Sequence, residues 1–286
     1  MFSQPVPQVQ RIVAALALAC STVVPANAHE MWLDPLEFLV GEDAEIQIEF
    51  RVGEKYSGGG YPYLENRTER LDHAAGDMVQ PVDARSGDRP AIQTAPLAPG
   101  LNVFAYESDV STVRYTDFGK FTAFVEHKAF KGALAAHDAR DLSKENFVET
   151  YSRHAKALIA AGRGEGADRR IGMQTEIVAL DNPYVTDIKD GMRVQVFHGD
   201  ETRPGAQVEV FERAAGSGNN AETVTISLFI TNAEGVATIA VKPGHEYQVD
   251  AVVLREPPAD RAQEHGAVWD TVWANLTFAV PKTPIR

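Results

Sequence analysis

Eight histidines and a single cysteine, Cys20, decide which metal chemistry this 286-residue chain can offer. His29 stands out among them. The segment before it reads as a secretory signal, residues 1–28. Arg11 precedes the apolar run Ile12–Cys20, and Pro25-Ala26-Asn27-Ala28 has the small-x-small form that signal peptidase cuts. Cleavage after Ala28 would make His29 the first residue, followed by Glu30-Met31-Trp32. A terminal histidine offers an α-amine and an imidazole on one residue, a donor pair suited to Cu(II) or Ni(II). The alternatives are a solvated terminal histidine and lipidation at Cys20. Lipidation would leave His29 internal and remove the amine, and Ala17-Leu18-Ala19 fits a lipoprotein box less well than Ala26-Asn27-Ala28 fits signal peptidase.

With the signal removed no cysteine remains. Disulfides, thiolate zinc sites, iron–sulfur clusters and thiol catalysis are then excluded, and a metal must be held by imidazole, carboxylate, backbone or amine. A tetragonal site needs one or two donors beyond His29. His127 closes an expected strand that can face the N-terminal segment, and it ranks first as a second imidazole. His154 borders an apolar face and ranks second, against a bland role as a core-edge histidine. His198 and His245 fall in expected turns and read as solvated. His73 and His265 lie in polar, loop-like sequence. Glu30 could serve as a carboxylate ligand or orient one. Trp32, Trp269 and Trp273 read as core anchors.

The elements that must position these residues are mostly strands. Glu45–Val52 alternates polar and apolar residues, as a half-buried strand does. Ser57-Gly58-Gly59-Gly60 reads as a loop. Val79–Val82, Ile92–Thr94, Asn102–Tyr106 and Lys120–Glu126 complete an expected N-terminal β-sandwich over residues 29–128. Residues 129–170 read as a helical connecting segment. In it Ser143 acts as an N-cap, and Phe147, Tyr151, Ala155, Leu158 and Ile159 recur at helical spacing, so an amphipathic helix is expected over Lys144–Ala161. Strands return in residues 171–286, a second sandwich. The fold class expected is mostly β: two Ig-like or prealbumin-like sandwiches joined by a segment with one amphipathic α-helix.

Net charge is −13, which argues against nucleic-acid and anionic-membrane partners. No stretch after the signal is long and apolar enough to span a bilayer. Gly-x-Ser-x-Gly, His-Glu-x-x-His and phosphate-cradling glycine loops are all absent from the sequence, and no Asp/Glu pair stands out, so no enzymatic activity is expected.

Pro204-Gly205-Ala206, Thr231-Asn232-Ala233-Glu234-Gly235 and Pro243-Gly244 resemble the turns of a carboxypeptidase-regulatory-like or transthyretin-like module. Across the mature chain, His29-Glu30-Met31-Trp32-Leu33, Tyr151–Ile159, Leu180-Asp181-Asn182-Pro183-Tyr184 and Trp273–Phe278 resemble a bacterial periplasmic family of largely unknown function. That family is associated with nickel uptake, akin to the NikM component of nickel transporters. The resemblance implies a periplasmic location and a membrane uptake component as partner. NikM-type subunits are membrane-embedded and this chain has no spanning segment, which points away from transport by the chain itself. Three functions stay open at this stage. They are a periplasmic Ni- or Cu-binding accessory, a non-catalytic envelope interaction module without metal, and a copper monooxygenase with a terminal-histidine brace.

Overall fold

The computed structural model describes residues 30–285. The first strands in chain order are β1 (Glu30–Pro35), β2 (Leu39–Val40), β3 (Ile46–Glu54), β4 (Ser57–Tyr61), β5 (Thr68–Ala75) and β6 (Met78–Pro81). They are followed by β7 (Ile92–Thr94), β8 (Gly100–Ser108) and β9 (Ser111–Tyr115), then the helices α1 (Phe118–His127) and α2 (Ala133–Ala139). The long strand β10 (Phe147–Ala161) leads into β11 (Thr175–Ala179), β12 (Met192–His198), β13 (Glu201–Thr202), β14 (Gln207–Ala214) and β15 (Thr225–Ile230). The chain closes with β16 (Val236–Ile239), β17 (His245–Arg255), α3 (Ala259–His265) and β18 (Ala267–Val280).

One ten-stranded sheet runs through both halves in the order β15-β14-β17-β18-β10-β8-β5-β6, with β2 and β9 also pairing β10. Its seam is the parallel pair β10–β18, in register from Glu149↔Trp269 to Ala157↔Thr277. Two four-stranded sheets flank it: β1-β3-β4 with β7, and β11-β12-β13 with β16. Leu33, Ile46, Ile48 and Phe50 of the first pack with Ala155, Ala157 and Ile159 of β10. Ile177, Val194 and Val196 of the second pack with Leu158 and Ala160. Odd and even positions of a strand face opposite ways, so the two flanking sheets cover opposite faces of the shared one. The protein is mostly β, two sandwiches built on a common middle sheet rather than two sandwiches joined by a spacer.

This corrects the segment expected to be helical. Residues 147–161 form the central strand β10, and among them only Tyr151 and Arg153 are not fully buried. A strand covered on both faces shows no two-residue alternation. Its apolar residues then fall at helical spacing by chance. Helices α1 and α2 lie earlier and α3 lies later. Lys120–Glu126, expected as a strand, belongs to α1. Its Phe, Thr and Val content favours strands, but Phe121 and Phe124 bury against the sheet beside Trp269 and Trp273, at ring separations of 5.8 Å each. Asp117 caps the helix, its Oδ1 accepting from Gly119 N at 2.8 Å.

Ser57–Gly60 is also a strand, not a loop. It pairs with β3 through a two-residue turn in which Lys55 and Tyr56 both have positive φ, the backbone sense that suits a tight hairpin. A Cβ on Gly53 would lie 2.1 Å from the Ser57 carbonyl oxygen, so the crossing of these strands requires glycine there. The strands expected around Ile46, Ile92, Val103, Val194, Val208 and Val249 are present, and all three tryptophans are buried.

Candidate metal-binding pocket

The register of β14 against β17 sets Glu209 directly opposite Asp250. Two like charges facing each other across a ladder repel, so a cation has to stand between them. That cation comes from α1. The helix ends at His127, and the next residue, Lys128, reaches into the sheet. Its Nζ lies 2.6 Å from Glu209, 3.1 Å from Asp250 and 3.5 Å from Glu30. Nζ also sits 5.0 Å from the centre of the Trp273 ring, which adds a cation–π contact. Oxygens of the three buried carboxylates lie within 4.8 Å of one another.

The electrostatics follow from burial. Burial opposes ionisation of Glu209, but His127 and Lys128 outweigh it and hold the carboxyl down to about 2. Burial pushes Glu30 up to about 7, with Lys128 pulling the other way. Asp250 is raised by burial as well. Burial disfavours the Lys128 ammonium, yet Asp250, Glu30 and Glu209 together raise it above the ordinary lysine value. Glu209 is therefore a firm anion, Lys128 a firm cation, and Glu30 the group that takes a proton near neutrality.

At the rim of this cluster stands His127, its side chain 58% exposed and its Nε2 3.3 Å from Glu209 Oε1. The hydrogen bond to Glu209 raises its pKa. Glu30, His127, Lys128, Glu209 and Trp273 line one pocket of about 90 Å³. Here Lys128 Nζ fills the place between the carboxylates where a cation would otherwise sit. A divalent ion in this pocket would have to sit further out, at His127.

The sequence-predicted ligands separate as follows. His29 lies outside the described residues, and the residue bonded to it, Glu30, lines the pocket. His127 is in the same pocket, so the structure places it beside the start of β1. His154 is not brought to it. It pairs with Ala274, whereas Trp273 below Lys128 is one position along β18, which puts His154 on the other face of the sheet. There its Nε2 lies 3.3 Å from Glu107 Oε2, and Glu107 in turn accepts from Arg70 at 3.2 Å. His73 sits in β5, not a loop, stacked 4.0 Å from Phe104. His137 is buried and accepts the Trp269 indole N–H at Nδ1, 3.0 Å away.

Lys128, Glu209 and Asp250 were missed in the sequence. Glu209 alternates with Val208 and Val210, which reads as a solvent face, and only the sheet register turns that face into a pocket. The signal available was Asp250, a charge inside the apolar run Tyr247–Leu254.

A further carboxylate lies near by on the same sheet. Glu149 on β10 is fully buried and accepts from the hydroxyls of Tyr115 at 3.1 Å and Thr271 at 2.6 Å. Burial raises it from 4.5 to about 7, against those two hydrogen bonds. Below pH 4.5 both folded and unfolded chains hold the proton. As pH rises to 7 the unfolded chain loses it first, so stability falls across that window by roughly 3 kcal/mol. Glu149→Gln is expected to gain up to roughly that amount over the wild type at pH 8 and nothing at pH 4. Urea denaturation at the two pH values checks this, and an equal difference at both would refute it.

Among the described residues no helix is long and apolar enough to cross a membrane. No curated protein matches the chain. Of solved structures, the D0-D1 domain of intimin is similar over 87% of this chain and 97% of that one, at 12% identity and a TM-score of 0.19. A family model, "Domain of unknown function (DUF4198)", matches residues 26–255, a span that takes in His29, His127 and the three carboxylates, and the chain belongs to that family.

Proposed function

We propose that this chain is an exported, periplasmic accessory protein that binds Ni(II) or Cu(II) at His29 and His127 and passes the metal to a membrane uptake component. The observation that carries the reading is the shared pocket of Glu30 and His127. The residue bonded to the candidate terminal histidine and the first-ranked second imidazole meet there, although 97 positions separate them in the chain. The donor set suits the chemistry. Glu209 takes the Nε2–H of His127, which leaves Nδ1 as the lone pair for a metal, and a carboxylate behind a ligating imidazole is the usual arrangement. The amine and imidazole of His29 would add two nitrogens, giving the nitrogen-rich set that Ni(II) and Cu(II) favour. The sequence resemblance to NikM-like, nickel-uptake-related proteins supports the same metal class. His154 has no part in this site.

One observation favours the alternative, a non-catalytic envelope docking module without metal. Edge strand β15 exposes Ile226, Leu228 and Ile230 on the side of Glu209, and contiguous exposed apolar residues mark interaction surfaces. The two readings part on a single substitution. In titrations of the mature protein, His127→Ala is expected to weaken Ni(II) or Cu(II) binding by about tenfold or more, whereas His154→Ala leaves it unchanged. Equal affinity in the His127→Ala protein and the wild type would leave the docking reading in front.

A further inference from the structure

β15 closes one side of the ten-stranded sheet. It pairs β14 from Gln207↔Ile230 to Glu212↔Thr225, and among the described residues no strand pairs its other side. Alternate N–H and C=O groups along that side stand open, and another extended strand is what answers such an edge. Natural sheets guard their edges with charge, proline, a bulge or short length. The opposite edge of this sheet, β6, follows that rule, with four residues ending in Pro81. β15 does not. Its six residues, Thr225-Ile226-Ser227-Leu228-Phe229-Ile230, carry no charge in a chain of net charge −13.

Ile226, Leu228 and Ile230 share one face, opposite Phe211, Glu209 and Gln207 of β14. They are 39%, 57% and 62% exposed. Beyond Ile230 the same face opens into a groove of about 580 Å³, lined by Phe130, Ala133, Ala136, Leu254 and Trp269. The spacing Ile-x-Leu-x-Ile reads the same in both directions about Leu228. In an antiparallel pair, directly opposed residues lie on the same face. A two-fold axis at Leu228 therefore sets Leu228 against the partner's Leu228, and Ile226 against the partner's Ile230. The apolar side chains of both copies form one stripe, and each groove receives the partner's Ile226 beside Ile230. Neither strand brings a charge to the contact, so two acidic chains meet where their repulsion is weakest.

We infer that β15 is a homodimerisation edge. It pairs antiparallel, in register about Leu228, with β15 of a second copy of this chain, and the middle sheet runs on across both copies. The occupant is the chain itself because the strand is uncharged and self-complementary in spacing, two properties that an unrelated segment would not require. A single strand pair with three apolar side chains on each copy lies at the small end of specific interfaces, so the dimer forms at about 10–100 µM. The inference uses none of the metal ligands and stands apart from that reading.

The test uses protein prepared to begin at His29, which holds no cysteine because Cys20 precedes it. Sedimentation equilibrium from about 1 µM to about 500 µM is expected to show the mass rise from one copy to two. Leu228→Lys sets like charges against each other at the two-fold axis and should hold the protein monomeric across that range. Leu228 is exposed, and unchanged thermal unfolding will establish that the variant is folded. Leu228→Cys puts the two Cα atoms about 5 Å apart, within disulfide reach, whereas Ser227→Cys puts them about 8 Å apart, outside it. Under mild oxidation Leu228→Cys should cross-link about tenfold faster or more. Wild-type protein that stays monomeric to about 500 µM would overturn the inference and leave the edge to an unrelated extended segment. A Leu228→Lys protein that dimerises as the wild type does, or equal cross-linking of the two cysteine variants, would overturn it as well.

Discussion

Lys128→Ala is expected to cost about 3–5 kcal/mol of stability at pH 7, because it leaves buried carboxylates without their cation. Glu209 and Asp250 face each other on neighbouring strands, and Glu30 comes in from the flanking sheet. With the ammonium gone, the cheapest relief is protonation. The folded chain then binds more protons than the unfolded one, and stability rises as pH falls. The variant should therefore recover part of the loss at pH 5. It should also respond to millimolar Ca(II) or Mn(II), since removing Nζ frees the position at the centre of the three carboxylates, and such oxygens suit hard cations. Urea denaturation of wild type and variant at pH 7 and pH 5, with and without the cation, reads all three effects. A variant as stable as the wild type at pH 7 would mean that Lys128 is not what balances this cluster.

Lys156→Met should be equally damaging, for the same reason on the opposite face of the sheet. The Lys156 side chain is fully buried in β10, with Nζ 2.7 Å from Asp168, 3.0 Å from Glu176 and 3.2 Å from the Arg169 carbonyl. Those two carboxylates organise the segment between β10 and β11. Asp168 accepts from Arg169 N and Ala179 N, each at 2.8 Å. Glu176 accepts from the backbone N–H groups of Ile171, Gly172 and Met173. Removing the cation alone strands two anions and is expected to cost about 3–5 kcal/mol. Removing all three charges together, as Lys156→Met with Asp168→Asn and Glu176→Gln, should return part of that, because the neutral amides need no cation and the one oxygen of each still accepts from the backbone. A single variant within about 1 kcal/mol of wild type, or a triple variant no better than the single, would contradict this reading.

Much of the strand content was legible because half-buried strands announce themselves. Ile46–Val52 alternates with one face in the core, and so does Met192–Phe197. The seam between the two sandwiches was not legible, and the cause is physical. β10 is buried on both faces and carries Glu149, His154 and Lys156 inside it. These ionisable residues are tolerated only because partners distant in sequence answer them: Thr271, Glu107, and the pair Asp168 and Glu176. Local pattern holds no record of such partners. The same blindness hid the carboxylate pocket, where Glu30, Lys128, Glu209 and Asp250 come from four separate elements. That His127 can face the start of the chain was legible, because it ends its element next to an acid. The face of the sheet that His154 occupies was not, since it is set by the parallel register of β10 against β18.

The decisive measurement concerns the terminal amine. Protein prepared to begin at His29, as the proposed cleavage would leave it, is titrated calorimetrically with Ni(II) and Cu(II), beside the same protein carrying one additional N-terminal glycine. The expected result is tight one-to-one binding by the first form and its loss in the second, since the added residue converts the amine ligand into an amide. Equal binding by both forms would contradict a site built on the His29 amine.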